Sequence, residues 1–194
     1  EERGIKKKRT IILFTSADPS DQSTLRLNDE YRNIEYELMR SKNRDEYELI
    51  PCLASRIGDF QRKLLDIRPQ IIHFCGHGEN NGICLIGDDD GNTDIVENEP
   101  LSRLFKLFSK DIQCVFLNSC HSIYQSKLLR ECIDHIICMN SSVNDKTAIH
   151  FAASFYAALS SGQDIIFSFE FAKNSIDLHK LAGSDIPQLL VKNN

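Results

Sequence analysis

Apolar residues fall along this chain in two kinds of run. The first kind is short and unbroken, as at residues 10–14 (Thr-Ile-Ile-Leu-Phe), 70–75, 111–117 and 135–139. Unbroken runs of this length predict strands buried on both faces, the pattern of a parallel sheet. The second kind repeats every three or four residues and predicts helices. Phe60, Leu64 and Ile67 align in 59–67, and Phe151, Phe155 and Leu159 align in 144–161, where Gly162 offers a C-cap. Shorter helices are predicted at 101–108 and 125–132, and a last one at 163–181. A further helix is expected from Asn28 as N-cap, with Tyr31, Ile34, Tyr36 and Leu38 partly on one face. Two weaker strands, 47–52 with Pro51 and 186–191 with Pro187, suit sheet edges. Residues 82–86 and 93–96 flank Asp90-Gly91 and read as a small antiparallel hairpin leaving the main sheet.

Strands alternating with helices mean an α/β domain with a mostly parallel central sheet. No repeat, low-complexity tract or internal boundary interrupts the pattern, so one domain is expected over 10–194, after a charged linker at 1–9. In such a sheet the loops that follow the strands share one edge, where ligand and catalytic groups collect. Two of the buried runs end unusually there. One runs into Phe74-Cys75-Gly76-His77-Gly78; the other, roughly forty residues on, runs into Asn118-Ser119-Cys120-His121-Ser122. Adjacent strands lie about 4.8 Å apart, which would bring the His77 imidazole to the Cys120 thiol. A thiol beside a base is the pairing that nucleophilic catalysis requires. The flanking glycines permit a sharp turn and close approach to a substrate, and leave the Gly78 amide free to face a developing oxyanion.

Composition narrows the choices. A hydrophobic content of 41% and charged content of 26% are those of an ordinary globular domain. A formal net charge of −5 argues against nucleic acid or an anionic membrane as partner. No apolar run approaches the length of a membrane span. The seven cysteines, odd in number and mostly within apolar runs, suggest a reducing compartment, and a cytoplasmic location is expected. Cys75 reads as a packing residue, His73 as a satisfied core histidine and His121 as exposed. Cys75, His77, Cys120 and His121 are acceptable zinc ligands, but no Cys-x2-Cys pair accompanies them. The Asp88 to Glu97 stretch partly mimics a calcium loop, yet its first ligand position would be Ile86. Neither metal nor cofactor is expected. The chain does not begin with Met, which suggests an excised domain or processed product.

The two loop motifs together resemble the paired signature of caspase-fold cysteine peptidases, and within that clan the CHAT group. The resemblance extends through Ile12-Leu13-Phe14 with Ala17-Asp18-Pro19, Leu25-Arg26-Leu27, Asp88-Asp89-Asp90-Gly91, Leu104-Phe105 and Phe151-Ala152-Ala153-Ser154-Phe155-Tyr156. It implies a three-layer sandwich with helices on both faces of the sheet. It also implies a cysteine endopeptidase with a His77–Cys120 dyad, and an oxyanion held by the amides of Gly78 and Cys120. The candidate S1 pocket residues carried over are Asp18, Cys75 and Asn118. Asn118 lacks the charge that metacaspase-like relatives place there, which argues against a strong Arg or Lys preference. No Arg follows the first strand, which argues against caspase-type Asp preference. The resemblance further implies a protein substrate, bacterial defence or cell-death signalling, and control by a sensor or adaptor module, either a separate protein or a domain fused N-terminally. The competing expectation is an inactive caspase-fold interaction module.

Overall fold

The computed structural model describes residues 9–192; the expected linker lies almost wholly outside them. A six-stranded sheet forms the centre. Its strands, in spatial order, are β2 (Tyr47–Cys52), β1 (Thr10–Ala17), β3 (Ile71–Gly76), β7 (Cys114–Asn118), β8 (His135–Met139) and β9 (Pro187–Val191). All neighbours pair in parallel except β9, which runs antiparallel to β8. The two proline-bearing segments are the two edges, where a missing ladder donor is tolerated.

Side-chain alternation splits the sheet between two cores. Ile12, Phe14, Ile71, Phe116 and Ile137 face helices α1 (Leu27–Arg40), α5 (Asp145–Ser160) and α6 (Ile165–Leu178). Leu13, Ile72, Phe74, Val115 and Ile136 face α2 (Ile57–Ile67), α3 (Asn98–Leu107) and α4 (Ile123–Leu129). This is the expected three-layer α/β sandwich. Phe116 sits at the centre of the first core, with ring contacts to His73, Phe151, Phe155 and Tyr156.

Three elements differ from expectation. Helix α1 begins at Leu27, with Arg26 at the cap and no side-chain capping bond, so Asn28 is not its N-cap. Its buried stripe is Leu27, Glu30, Ile34 and Leu38, whereas Tyr36 is exposed. Helix α3 starts at Asn98 and takes Pro100 into its first turn, where no intrahelical donor is lost. The hairpin of β5 (Gly82–Ile86) and β6 (Thr93–Glu97) gains a third strand, β4 (Gly78–Glu79), so the residues after His77 belong to a small sheet. The caps of α5 and α6 are side-chain caps: Asn144 accepts from the Thr147 amide and Asp164 from the Phe167 amide.

Candidate active site

Parallel strands β1, β3, β7 and β8 all end on one edge, and a cavity of about 220 Å³ opens there. Its walls are strand ends and the segments that follow them. Ser23, Leu25, Arg26, Leu27 and Glu30 come after β1, Cys75 and Gly76 end β3 with His77 and Gly78 after it, Asn118 ends β7 with Ser119 and Cys120 after it, and Val143 and Asp145 come after β8. The register explains why His77 and Cys120 reach the same cavity: Cys75 pairs with Asn118, and each of the two lies two positions further along its chain. Both line the cavity.

His77 is fixed from two sides. Its carbonyl accepts the Cys84 amide, which locks the loop onto β5. Its imidazole Nε2 donates to the Ser23 carbonyl at 2.7 Å. Because a carbonyl only accepts, Nε2 carries a proton, so in the neutral ring the lone pair is on Nδ1. The Ser23 segment is itself strapped down by Asp21, whose carboxylate accepts both the amide and the hydroxyl of Thr93. Gln22 also donates to the Thr93 hydroxyl, and the Ser20 amide to the Gly91 carbonyl. The bond from Cys84 to His77 makes Gly78 and Ile83 a non-hydrogen-bonded pair, so the β4–β5 ladder does not consume the Gly78 amide. A Cβ built on Gly78 would fall 2.8 Å from Ser119 Oγ and 3.1 Å from the Cys120 carbonyl oxygen. Only glycine lets the two loops pack this closely.

Cys120 is the one cysteine of the seven that is not buried. It sits in a tight turn between β7 and α4, and His121 after it adopts the left-handed conformation, with φ of 57°. Ser122 pins that turn: its hydroxyl donates to the Leu117 carbonyl at 3.0 Å and accepts the Met139 amide at 2.9 Å. Gln125 of α4 donates to the carbonyls of Glu79 and Gly82, so the element after Cys120 is tied to the sheet after His77.

Beneath the two loops lies a buried polar cluster. Glu30 of α1, 3% exposed, accepts from His73 Nε2 at 2.6 Å and Asn118 Nδ2 at 2.7 Å on one oxygen. Its other oxygen accepts from the Cys75 thiol at 2.8 Å. His73 Nδ1 lies 3.1 Å from the hydroxyl of the fully buried Tyr156. His73 and Glu30 thus form a pair buried almost completely, their side chains 0% and 4% exposed. Burial first, and the Glu30 charge second, push the Cys75 thiol well above its ordinary pKa.

His77, Gly78, Cys75, Asn118 and Cys120 are thus gathered in one place, whereas Asp18 is not. It is half-buried with one carboxylate oxygen enclosed and unpartnered, and it does not line the cavity. Strand β1 runs on to Ala17 and pairs it with Gly76, and the chain then turns away before returning as the Ser23–Leu27 wall. Asp18 is therefore outside the cavity lining, although its charge reaches Cys75 and helps to raise that thiol's pKa. Cys75 packs as expected, and His73 is a satisfied core histidine. His121 is half-buried, its Nε2 3.4 Å from the Ser142 hydroxyl. Sequence reasoning missed Glu30, Asp145 and the Ser23 carbonyl. Glu30 carries one readable signal: the spacing 27, 30, 34, 38 puts it on the apolar stripe of its helix. Among the described residues no group of three or more potential metal ligands occurs, and no helix is long and apolar enough to cross a membrane.

Known proteins with this architecture point the same way. The family model for the CHAT domain matches residues 54–176. A protein of Gillisia limnaea described as "Probable protease" is 22% identical over 182 residues, which cover 90% of this chain and 32% of that protein. The chain therefore spans about a third of that relative's length. A secreted C11 cysteine protease from Bacteroides thetaiotaomicron, solved with an irreversible peptide inhibitor, superposes with a TM-score of 0.60 at 13% identity, covering 88% of this chain and 59% of that one. Caspase-1 from Spodoptera frugiperda superposes with a TM-score of 0.61 at 12% identity, covering 95% and 86%.

Proposed function

The chain belongs to the CHAT domain family and has the caspase-like fold, and on that premise we propose that it is a cysteine endopeptidase acting through His77 and Cys120. The observation that carries this reading is that the one cysteine left unburied shares a cavity with a histidine whose Nε2 is tied to a main-chain carbonyl. His77 Nδ1 takes the proton of the Cys120 thiol, and the thiolate attacks the peptide carbonyl carbon. The amides of Gly78 and Cys120 hold the oxyanion that forms. His77 passes its proton to the leaving amine, which departs as the acyl-enzyme forms. It then takes a proton from water, whose attack releases the new carboxylate and restores the thiol. The Ser23 carbonyl holds the imidazole in the required tautomer, a task done by a carboxylate in a Ser-His-Asp triad. The substrate in this reading is a protein. The resemblance of the motifs to CHAT-type peptidases supports a regulated defence or cell-death setting, with a sensor or adaptor module as the regulator.

The test is a library of thiol-reactive peptidyl electrophiles. Wild type is labelled at Cys120, Cys120→Ala is not, and His77→Ala is labelled more slowly by roughly 10²-fold or more. Labelling of wild type persists below the free-thiol pKa of about 8.5. Equal labelling of wild type and Cys120→Ala, with no peptide cut by either, would leave the chain an interaction module rather than an enzyme.

A further inference from the structure

The cavity that holds His77 and Cys120 does not end at its rim. A groove of about 870 Å³ opens beside it, and Arg26 and Ile149 line both. The groove lies across helix α5, with α1 as one wall and α6 as the other. On α1 its lining falls at positions 26, 29, 33, 37 and 40, one face of the helix from its cap to its last residue. At about 1.5 Å per residue, that face is about 20 Å long. A chain held in the cavity thus has a continuous path into the groove.

The chemistry of the groove limits what can lie there. Its polar side chains bond mainly to one another: Ser175 Oγ to His150 and Ser154, Arg26 to Asp29, and Arg40 to Glu37. What they leave open is apolar. On the floor, Ile149, Ala153 and Ala157 are half-buried and follow one another at helical spacing. On the α6 wall, Phe171 is 47% exposed and its ring stacks on that of Phe167, itself half in solvent. Leu178, 73% exposed, lies on the same side of that helix. Large apolar side chains gathered on one exposed helix face mark a binding surface. An extended peptide would bring backbone donors and acceptors, and a floor and walls made of helices offer no open edge to pair them. A helix arrives with its backbone groups already paired, and the alanines of the floor let it approach closely.

We propose that this groove docks an amphipathic helix of the protein substrate, adjacent in sequence to the segment held in the cavity. This rests on the peptidase reading of the cavity and deepens it. The apolar side of the helix sits on Ala153 and Ala157 and against Phe171, and its polar side faces water. Roughly 14 residues, four turns, fill the length. A cleavage site is then chosen by the helix beside it as well as by the residues at the cut.

Two measurements test the docking separately from the chemistry. In the first, Cys120→Ala protein, which needs no turnover, is panned against two displayed peptide libraries of equal length. One holds amphipathic helices with randomised faces, the other proline-interrupted extended chains. Helices are enriched, and they lose at least tenfold in affinity on Ala153→Arg or Ala157→Arg, which block the floor with a good helix former. Thermal melting checks that both variants fold, and Phe171→Ser, at the exposed rim, reads the groove if they do not. Enrichment of extended chains alone, of nothing, or of helices indifferent to these substitutions overturns the proposal. So does a dimer in sedimentation that the substitutions dissociate, since a second copy then fills the groove. In the second, an enriched helix is fused to either end of a peptide that the active protein cuts. In one of the two orders KM falls at least tenfold with kcat unchanged, as linkage of two binding segments predicts. Ala157→Arg abolishes that gain and leaves turnover of the unfused peptide as in wild type. Cleavage with no gain from the helix in either order overturns the docking and leaves the peptidase intact. Helix binding with no peptide cut sinks the peptidase reading and leaves the groove standing as a helix-docking surface.

Discussion

At the scale of single residues, the most consequential one is a glutamate that looks like surface. Glu30 lies in Asn28-Asp29-Glu30-Tyr31-Arg32-Asn33, a polar helix segment in which a carboxylate ordinarily faces water. Its burial is explained by what meets it: His73 and Cys75 alternate along β3 on the face that packs α1, and Asn118 stands opposite Cys75 on β7. Removing the acceptor leaves those donors enclosed. Glu30→Ala is expected to cost about 1–3 kcal/mol for each buried donor left without a partner. Glu30→Gln, which keeps an acceptor oxygen, costs less. Urea unfolding of the two variants measures the difference, and equal stabilities would mean that the cluster contributes nothing to folding. That His77 and Cys120 share one sheet edge, by contrast, was legible from the sequence, because each is a reactive side chain placed where an unbroken apolar run stops. Glu30 was not, because a buried carboxylate has the same letter as a solvated one and differs only in its neighbours from distant strands. Ser23 could not be read at all, since its contribution is a main-chain carbonyl, which every residue possesses.

At the scale of elements, the strands were readable and the connections only partly so. Continuous apolar runs mark β1, β3, β7 and β8, and the proline-bearing segments mark the edges, as the topology bears out. The segment at residues 18–26 gave only turn residues, yet it decides how His77 is held. Its side chains bond the β5–β6 turn rather than the sheet, and that turn's own sequence gave no hint of a partner. The strap has a testable consequence. Asp21→Ala removes both bonds to Thr93 and frees the segment that positions the Ser23 carbonyl. Because Asp21 is exposed, stability is expected to change by about 0.5 kcal/mol or less. If His77 is the base proposed above, peptide turnover falls roughly tenfold to a hundredfold, through kcat more than KM, because a small misplacement of such a base is costly. Steady-state kinetics on a cleaved peptide checks this, and an unchanged kcat would show that the strap is packing alone.

At the scale of the whole molecule, the buried titratable groups set how stability responds to pH, and they act at opposite ends. His150 on α5 is held below its ordinary pKa, first by partial burial, then by the neighbouring His179, whose ring centroid lies 4.3 Å away. A histidine with a lowered folded pKa favours the neutral state in the fold. Its contribution is present above the unfolded value of about 6.5 and is lost as pH falls through the folded one. The buried thiols act in the other direction. Burial pushes Cys114 up to about 12, and it pushes both Cys84 and Cys138 up to about 11, with the charges of Glu79 and Asp21 assisting at Cys84. Unfolded thiols ionise from about pH 8.5, so stability is complete below that value and drains away as pH rises toward 11 or 12. The two slopes predict a plateau between about pH 7 and 8.5 with a decline on either side. Cys114→Ala should lower the plateau, because it removes buried volume, yet make the alkaline slope shallower, because one proton fewer is released on unfolding. His150→Asn should make the acid slope shallower without touching the alkaline one. Urea midpoints from pH 5 to pH 11 for wild type and the two variants resolve both slopes, and an alkaline slope unchanged by Cys114→Ala would refute the assignment of that limb to the buried thiols.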